Sequence, residues 1–259
     1  MIYKSIFSLK TIKSISVQDR INYTALLVFI IAAFYSIGHY KSDEHYQILE
    51  FAQYKLGQIN AKDLPWEFDA KMRPSFQPWL VVGMVSLLKV FNITNPFAIT
   101  TIFRLITALL LWFITKKLNK LLIERYFTQN SWAILFSCCT FFLWYVPFIS
   151  VRFSSENYAG LFLMASIYFI IKDFKSIRNL LSIGLCLGIA ILFKAQIGLA
   201  VLGIFGWLIF IGKISIYQFT IMSLAILSVT ALGTYLDYLF YGSFVFTPFY
   251  FIMGNLEGG

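Results

Sequence analysis

The sequence predicts an all-α polytopic membrane protein, from an excess of apolar residues, a shortage of charge, and apolar runs of helical length separated by short basic tracts. Of the 259 residues, 59% are hydrophobic, 13% are charged and 28 are Phe, and mean hydropathy is +0.75. A soluble chain carries roughly a quarter of its residues as charges to coat its surface, so this surface is matched to lipid instead.

Lys4, Lys10, Lys13 and Arg20 precede the first apolar run, 21–38, and no small-residue cleavage site follows it. That pattern predicts a retained first span with a cytoplasmic N-terminus. Further apolar runs cover 78–92, 98–115, 131–149, 157–172, 180–194, 197–212 and 215–236. Crossing a hydrocarbon layer of ~30 Å takes about 20 helical residues, so the shorter runs must extend beyond these limits to cross.

Basic tracts orient the spans. Lys116, Lys117, Lys120 and Arg125 form one, Lys172, Lys175 and Arg178 a second, and Lys213 a third. With all three cytoplasmic, the stretches 39–77, 150–157, 194–197 and 237–249 face the other side. Two apolar runs then lie between an outer residue 77 and an inner residue 116, where parity demands an odd number of crossings. The short 78–92 run, with Lys89 in it, is therefore expected to be re-entrant or interfacial, which is tolerated where protein covers the backbone. The rival is that 116–125 faces outward. The net charge of +9 belongs to this loop pattern, which excludes nucleic acid as the expected partner. Cys138, Cys139 and Cys186 fall in apolar runs and act as small hydrophobes.

The polar stretch 39–77 stands apart, and long loops in compact proteins tend to be functional. From Asp43 the apolar positions Tyr46, Ile48, Leu49, Ala52, Tyr54 and Leu56 predict an amphipathic helix ending near Gly57, with a short turn after Asp63 and before Pro65. Asp43 and Glu44 are adjacent carboxylates just beyond the first span. One reading is a general base for a hydroxyl, its pKa raised by burial or by its neighbour; the other is a solvated helix N-terminus. His39 and His45 flank them with no Cys or further His nearby, so no metal site is expected.

Other polar residues return to the same side. Arg152, Ser154, Ser155 and Glu156 cluster on one predicted face, where an arginine either holds a phosphate or snorkels at the lipid boundary. Lys194 and Gln196 interrupt an apolar region, and Asp237, Tyr238 and Tyr241 close another. Trp66 and Glu67, followed by Arg73, Ser75 and Pro78, pair a ring face with a carboxylate as sugar sites do, although Trp66 also suits an interfacial anchor. Arg104 and Lys89 read as helix-packing or interfacial charges.

These residues carry a resemblance. Ser42-Asp43-Glu44-His45-Tyr46-Gln47, with Glu50 after it, resembles the "PDE-x-x-Q-x-x-E" opening of glycosyltransferase family 22, the lipid-phosphate-mannose-dependent mannosyltransferases. Leu64-Pro65-Trp66-Glu67-Phe68 is similar to its "TWEW", and Met72-Arg73-Pro74-Ser75 with Pro78 to its "R-S-x-x-x-P". Arg152 to Glu156 resembles a contracted "R-x-S-N-S-x-E", Phe193-Lys194-Ala195-Gln196 stands where the family often has "F-R-P-T", and Asp237 to Gly242 with Thr247-Pro248 and Asn255 resembles "D-x-x-x-Y-G…P…N". Ser42 replaces Pro and Lys194 replaces Arg.

The resemblance implies the N-terminal transmembrane module of a C-type glycosyltransferase fold, one module over 1–259 with 39–77 as its outer-face loop. Because members of the family run longer, it also implies a chain truncated at its C-terminus. The implied reaction is an inverting transfer from a polyprenyl or dolichyl phosphate mannose donor to a glycan or glycolipid acceptor at the outer or lumenal face, with no cofactor. Asp43 is then the base, Glu44 supports it or positions the acceptor, and Arg152 and Lys194 contact the donor phosphate. Trp66, Glu67, Arg73, Ser154, Glu156, Gln196, Asp237 and Tyr241 complete the expected substrate-binding set. The implied setting is a multi-pass protein of a bacterial inner membrane or the endoplasmic reticulum, with membrane lipids around it. The competing classes are a transporter or flippase of lipid-linked sugars, whose charges belong near the bilayer midplane, and a non-catalytic membrane subunit.

Overall fold

The computed structural model describes residues 16–38, 42 and 44–257; Asp43, His39 and the N-terminal Lys4, Lys10 and Lys13 lie outside them. Among the described residues every regular element is helical. Helix α1 (Val17–Tyr35) starts at Ser16, whose hydroxyl accepts from the Asp19 amide at 3.1 Å. A π-helix (Glu44–Glu50) runs into α2 (Phe51–Lys55), and Gly57 at φ +71 ends it. The amphipathic helix expected from residue 43 thus takes a wider first turn than an α-helix. A 3₁₀ turn (Ala61–Asp63) and α3 (Trp66–Asp69) follow, then α4 (Phe76–Val90).

Helix α5 (Pro96–Tyr126) opens on an Asn95 cap with Pro at its first position, where a missing N–H costs nothing. It carries Lys116, Lys117, Lys120 and Arg125 on its own last turns rather than in a loop, because no Gly or Pro interrupts it before Phe127. The expected 131–149 run divides into α6 (Asn130–Phe142) and α7 (Tyr145–Ile149). The ring of Pro147 would meet the carbonyl of Leu143 in a continuous helix, so the chain turns there. Helix α8 (Ser155–Asp173) is capped by Ser154, and α9 (Ile177–Phe193) and α10 (Gly198–Phe210) follow. Helix α11 (Ile216–Tyr241) opens on a Ser215/Gln218 capping box and stops at the left-handed Gly242. A last helix, α12 (Thr247–Glu257), was not expected from the sequence.

Contacts fix the helix directions. Helix α1 runs against α5: Trp112 Nε1 donates to the Asn22 carbonyl at 2.8 Å near one end, and Arg104 donates to the Ser36 carbonyl at the other. Helix α6 returns along α5 through Asn119 Nδ2 to Ser137 Oγ at 2.9 Å. Helices α8 and α9 are antiparallel, with Tyr158 stacked on Phe193 at 5.0 Å. Helices α9 and α11 are parallel and lie in close contact. Gly184 faces Met222 and Ala225, Gly188 faces Val229, and Gly233 receives the Leu192 side chain. Leu180, Ile183, Leu187, Leu208 and Met222 form the core beside this seam.

One end of the bundle therefore gathers the last residues of α1, α9 and α11 with the first turns of α5 and α8. Helix α4 stays at that end: Val81 and Val85 pack on Ile48, Ala52 and Phe103. It lies beside the 44–56 helices. The tracts Lys116 to Arg125, Lys172 to Arg178 and Lys213 sit at the opposite end. Helices α1, α5 and α11 are long and apolar enough to cross a membrane; α4, α6, α9 and 195–210 are apolar and shorter. Leu27, Phe34, Phe113, Leu202, Leu224 and Leu227 are exposed, a surface suited to acyl chains. The protein is an all-helical membrane protein.

The glycine seam is tested by Gly184→Ala, whose methyl would stand 2.6 Å from the Met222 carbonyl oxygen and 2.7 Å from Ala225 Cβ. Overpacking of this kind costs about 1–3 kcal/mol, so thermal unfolding in detergent is expected at a lower midpoint. Gly203→Ala, with nothing within 4 Å, is expected to leave the midpoint unchanged or raise it.

Candidate active site

The polar end is built on a buried carboxylate. Asp237, 4% exposed, accepts from the Ser75 amide at 2.8 Å, the Ser75 hydroxyl at 2.7 Å and the Thr247 hydroxyl at 3.0 Å. One side chain near the end of α11 thus ties down the start of α4 and the start of α12. Tyr241, a turn later, donates to the Arg73 carbonyl at 2.7 Å, and Lys71 donates to Ser243 at 2.8 Å. The aromatic floor joins in, with Trp79, Phe51 and Phe68 packed around Phe240. Lys55 lies over the same ring at 4.8 Å, and burial pushes its ammonium below the usual lysine pKa.

Held by this frame, an open cleft of about 460 Å³ forms between the π-helix, the 72–78 segment, the end of α9 and α12. Gln47, Arg73, Gln77, Ser155, Lys194 and Gln196 give it a polar lining, and Ile48, Met72, Phe193 and Phe251 an apolar one. Its two cations are braced. Arg73 donates twice to Glu67, at 2.5 and 3.1 Å, and lies 5.5 Å from the Phe251 ring centre. Lys194 Nζ is 2.8 Å from Glu156 Oε1, which joins the end of α9 to the first turn of α8. Ser155 donates to Gln77 Oε1 at 3.0 Å. Such a cleft offers donors and acceptors for hydroxyls with charges fixed in place.

The sequence-derived residues therefore divide. Arg73, Lys194 and Gln196 meet in the cleft, with Glu67 and Glu156 holding the first two. Asp237 and Tyr241 form the frame, and Ser154 caps α8 through the Asn157 amide at 3.3 Å. Trp66 is 65% exposed and lines no part of the cleft, which suits the interfacial-anchor reading. Glu44, 5% exposed, begins the π-helix on another side, near Arg104 and Phe153. Arg152, 4% exposed, donates to the Gly38 carbonyl at 2.8 Å and lies over Phe148 at 4.4 Å. Asp43, between the described Ser42 and Glu44, lies outside the described residues.

Gln47 and Gln77 line the cleft without having been singled out as site residues, and Ser155, grouped from the sequence with Arg152, Ser154 and Glu156, lines it with them. A glutamine within the apolar opening of α4 is the signal available for Gln77. Arg104, read as a helix-packing or interfacial charge, joins α5 to the end of α1 through the Ser36 carbonyl and also stands within electrostatic reach of Arg152 and Glu44. Among the described residues no three His, Cys, Asp or Glu gather as metal donors.

Removing the Asp237 carboxylate leaves a buried amide and two hydroxyls without their acceptor, a loss of about 1–3 kcal/mol. Asp237→Ala is expected to lower the thermal midpoint in detergent, and Asp237→Asn, which keeps one acceptor oxygen, to lower it less.

A family model described as the Alg9-like mannosyltransferase family matches residues 21–259. No curated protein and no solved structure matches the chain.

Proposed function

Because the chain belongs to the Alg9-like mannosyltransferase family and is a membrane mannosyltransferase, we propose that it moves mannose from a polyprenyl or dolichyl phosphate to a hydroxyl of a glycan or glycolipid. The observation that carries this reading is the gathering, inside the family-matched region, of Gln47, Arg73, Lys194 and Gln196 in one cleft at the bundle end opposite the basic tracts. By the positive-inside rule that end faces the outer or lumenal side of a multi-pass protein, in a bacterial inner membrane or the endoplasmic reticulum.

In this reading Asp43 takes the proton from the acceptor hydroxyl as its oxygen attacks the anomeric carbon, with inversion. Glu44 supports that carboxylate from the head of the π-helix. The cleft orients the acceptor: Gln47, Gln77, Ser155 and Gln196 offer neutral hydrogen bonds, and the braced Arg73 and Lys194 offer charged ones. Arg152 and Lys194 are the two cations proposed for the donor phosphate. A flippase would move its cargo through charges near the bilayer midplane, whereas the Lys194–Glu156 pair joins two helix ends, an arrangement that speaks for chemistry at one face.

The test is mannose transfer from radiolabelled polyprenyl phosphate mannose in membranes holding equal amounts of wild type and Asp43→Asn. Loss of a general base costs about a hundred- to ten-thousand-fold in rate, and a loss of that size with unchanged protein level is expected. Full activity in Asp43→Asn would remove that residue from the mechanism. Gln196→Ala is expected to raise the KM for the acceptor and leave that for the donor unchanged, read from the same assay at varied acceptor.

A further inference from the structure

Helix α12 has two unlike faces. Thr247, Phe251 and Gly254, spaced to share one side of a helix, face the protein. Thr247 donates to Asp237 at 3.0 Å, the Phe251 ring centre is 5.5 Å from the Arg73 guanidinium carbon, and a Cβ on Gly254 would stand 3.5 Å from Met72. Phe249, Tyr250, Ile252, Met253 and Leu256 point the other way and are exposed. A helix bordered by water carries polar residues on its outer face, yet from Phe244 to Leu256 there is no Lys, Arg, Asp or Glu. A contiguous apolar face of this kind marks a surface that something covers.

The place of α12 in the bundle says what that is. The bond to Asp237 holds the start of α12 level with the last turns of α11, a helix long and apolar enough to cross a membrane. Helix α11 stays apolar and exposed up to that level through Tyr235, Tyr238 and Leu239, and Phe244 and Phe246 carry the exposed apolar surface across the turn to α12. Tyr35 at the end of α1 and Trp144 beyond α6 are exposed at the same end of the bundle. Tyrosine and tryptophan gather where hydrocarbon gives way to headgroups. With 11 residues, α12 is too short to cross a layer that takes about 20, and with no cation before Glu257 it has nothing with which to seek anionic headgroups.

We propose that α12 lies lengthwise in the lipid interface at the polar end of the bundle. Its Phe249, Ile252 and Leu256 face rests among neutral lipids, and its Phe251 and Gly254 face closes one side of the cleft. Thr247 anchors one end of the helix to Asp237, and the apolar area sunk into the headgroup boundary holds the rest of its length. The cleft then opens at headgroup level, and the distance of Phe251 from Arg73 is set by the membrane as well as by the protein. This goes beyond the sugar-transfer reading: it needs the membrane class of the protein and neither the donor nor the acceptor.

The experiment uses the full chain in phosphatidylcholine nanodiscs, with Cys138→Ala, Cys139→Ala and Cys186→Ala as background and a nitroxide label on Phe249→Cys, Ile252→Cys, Leu256→Cys or Phe251→Cys. Collisions with dissolved oxygen, which favours hydrocarbon, and with a water-soluble nickel chelate give the depth of each label. The labels at 249, 252 and 256 are expected to favour oxygen and to share one depth, about 5–10 Å inside the headgroup boundary; the label at 251 is expected to favour oxygen less. Outward labels that favour the nickel chelate would put that face in water and overturn the proposal. Outward labels shielded from both would put protein over it, with the same result. A depth that grows from 249 to 256 by the about 10 Å that seven helical residues span would make α12 a segment entering the bilayer, and would also overturn it. The depths are expected to stay the same when phosphatidylglycerol is added, and seating that requires the anionic lipid would sink the choice of neutral lipid. If the cysteine-free background does not fold, a benzophenone side chain placed at Phe249 or at Phe251 in the native chain decides. Crosslinking to phosphatidylcholine from 249 and not from 251 is expected, and equal crosslinking would overturn the two-faced placement.

Discussion

The polar end of this protein depends on the carboxylate of Asp237. A buried carboxylate is tolerated where hydrogen bonds replace its water, and here three donors do so, one from the backbone and two from hydroxyls. Those donors belong to segments far apart in sequence, Ser75 before α4 and Thr247 at the start of α12. Ordering one side chain thereby orders the outer segment around Arg73, and Tyr241 fixes the Arg73 carbonyl from the same helix. Without that anchor the 57–75 segment would rest on short helices, aromatic contacts and the Lys71–Ser243 and Tyr241–Arg73 hydrogen bonds, because α3 has four residues.

The apolar frame works by direction and closeness. Parallel α9 and α11 can touch along Gly184, Gly188 and Gly233 because those residues have no side chain to separate the backbones, and small residues are the usual means of close helix approach in lipid. The parallel pairing brings Lys194, at the end of α9, and Asp237, near the end of α11, to the same level. Helix α8, antiparallel to α9, then presents Glu156 beside Lys194 at its own first turn, where the helix dipole favours a carboxylate.

Much of this was legible from residues alone. The membrane class followed from charge density and the apolar helices from apolar runs. Gly57 marked a helix end that the structure confirms. The side-chain roles were less legible, because a sequence shows that polar residues return to one side and not which of them touch. Asp237 and Arg73 look equivalent in spacing, yet one is consumed by neighbouring donors and the other lines the cleft. Arg104 packs α5 against the end of α1 through the Ser36 carbonyl, and its partners were hidden in the sequence because Ser36 and Gly38 lie 68 and 66 positions away. Helix α12 was missed because its aromatic, Gly and Asn mixture has no clear period. The break between α6 and α7 needed attention to Pro147 rather than to hydropathy.

The π-helix at 44–50 has a geometric consequence. A single helix is about 10 Å across, so groups on its two sides do not touch through its middle. With the cleft against Gln47 and Ile48 and a second hollow against Glu44 and Leu49, it is a partition between them. Glu44 stands at its first turn. The wider winding also carries a vulnerability: deleting one residue to restore ordinary α-helical winding would rotate the partition and change which side chains face the cleft, leaving composition almost intact.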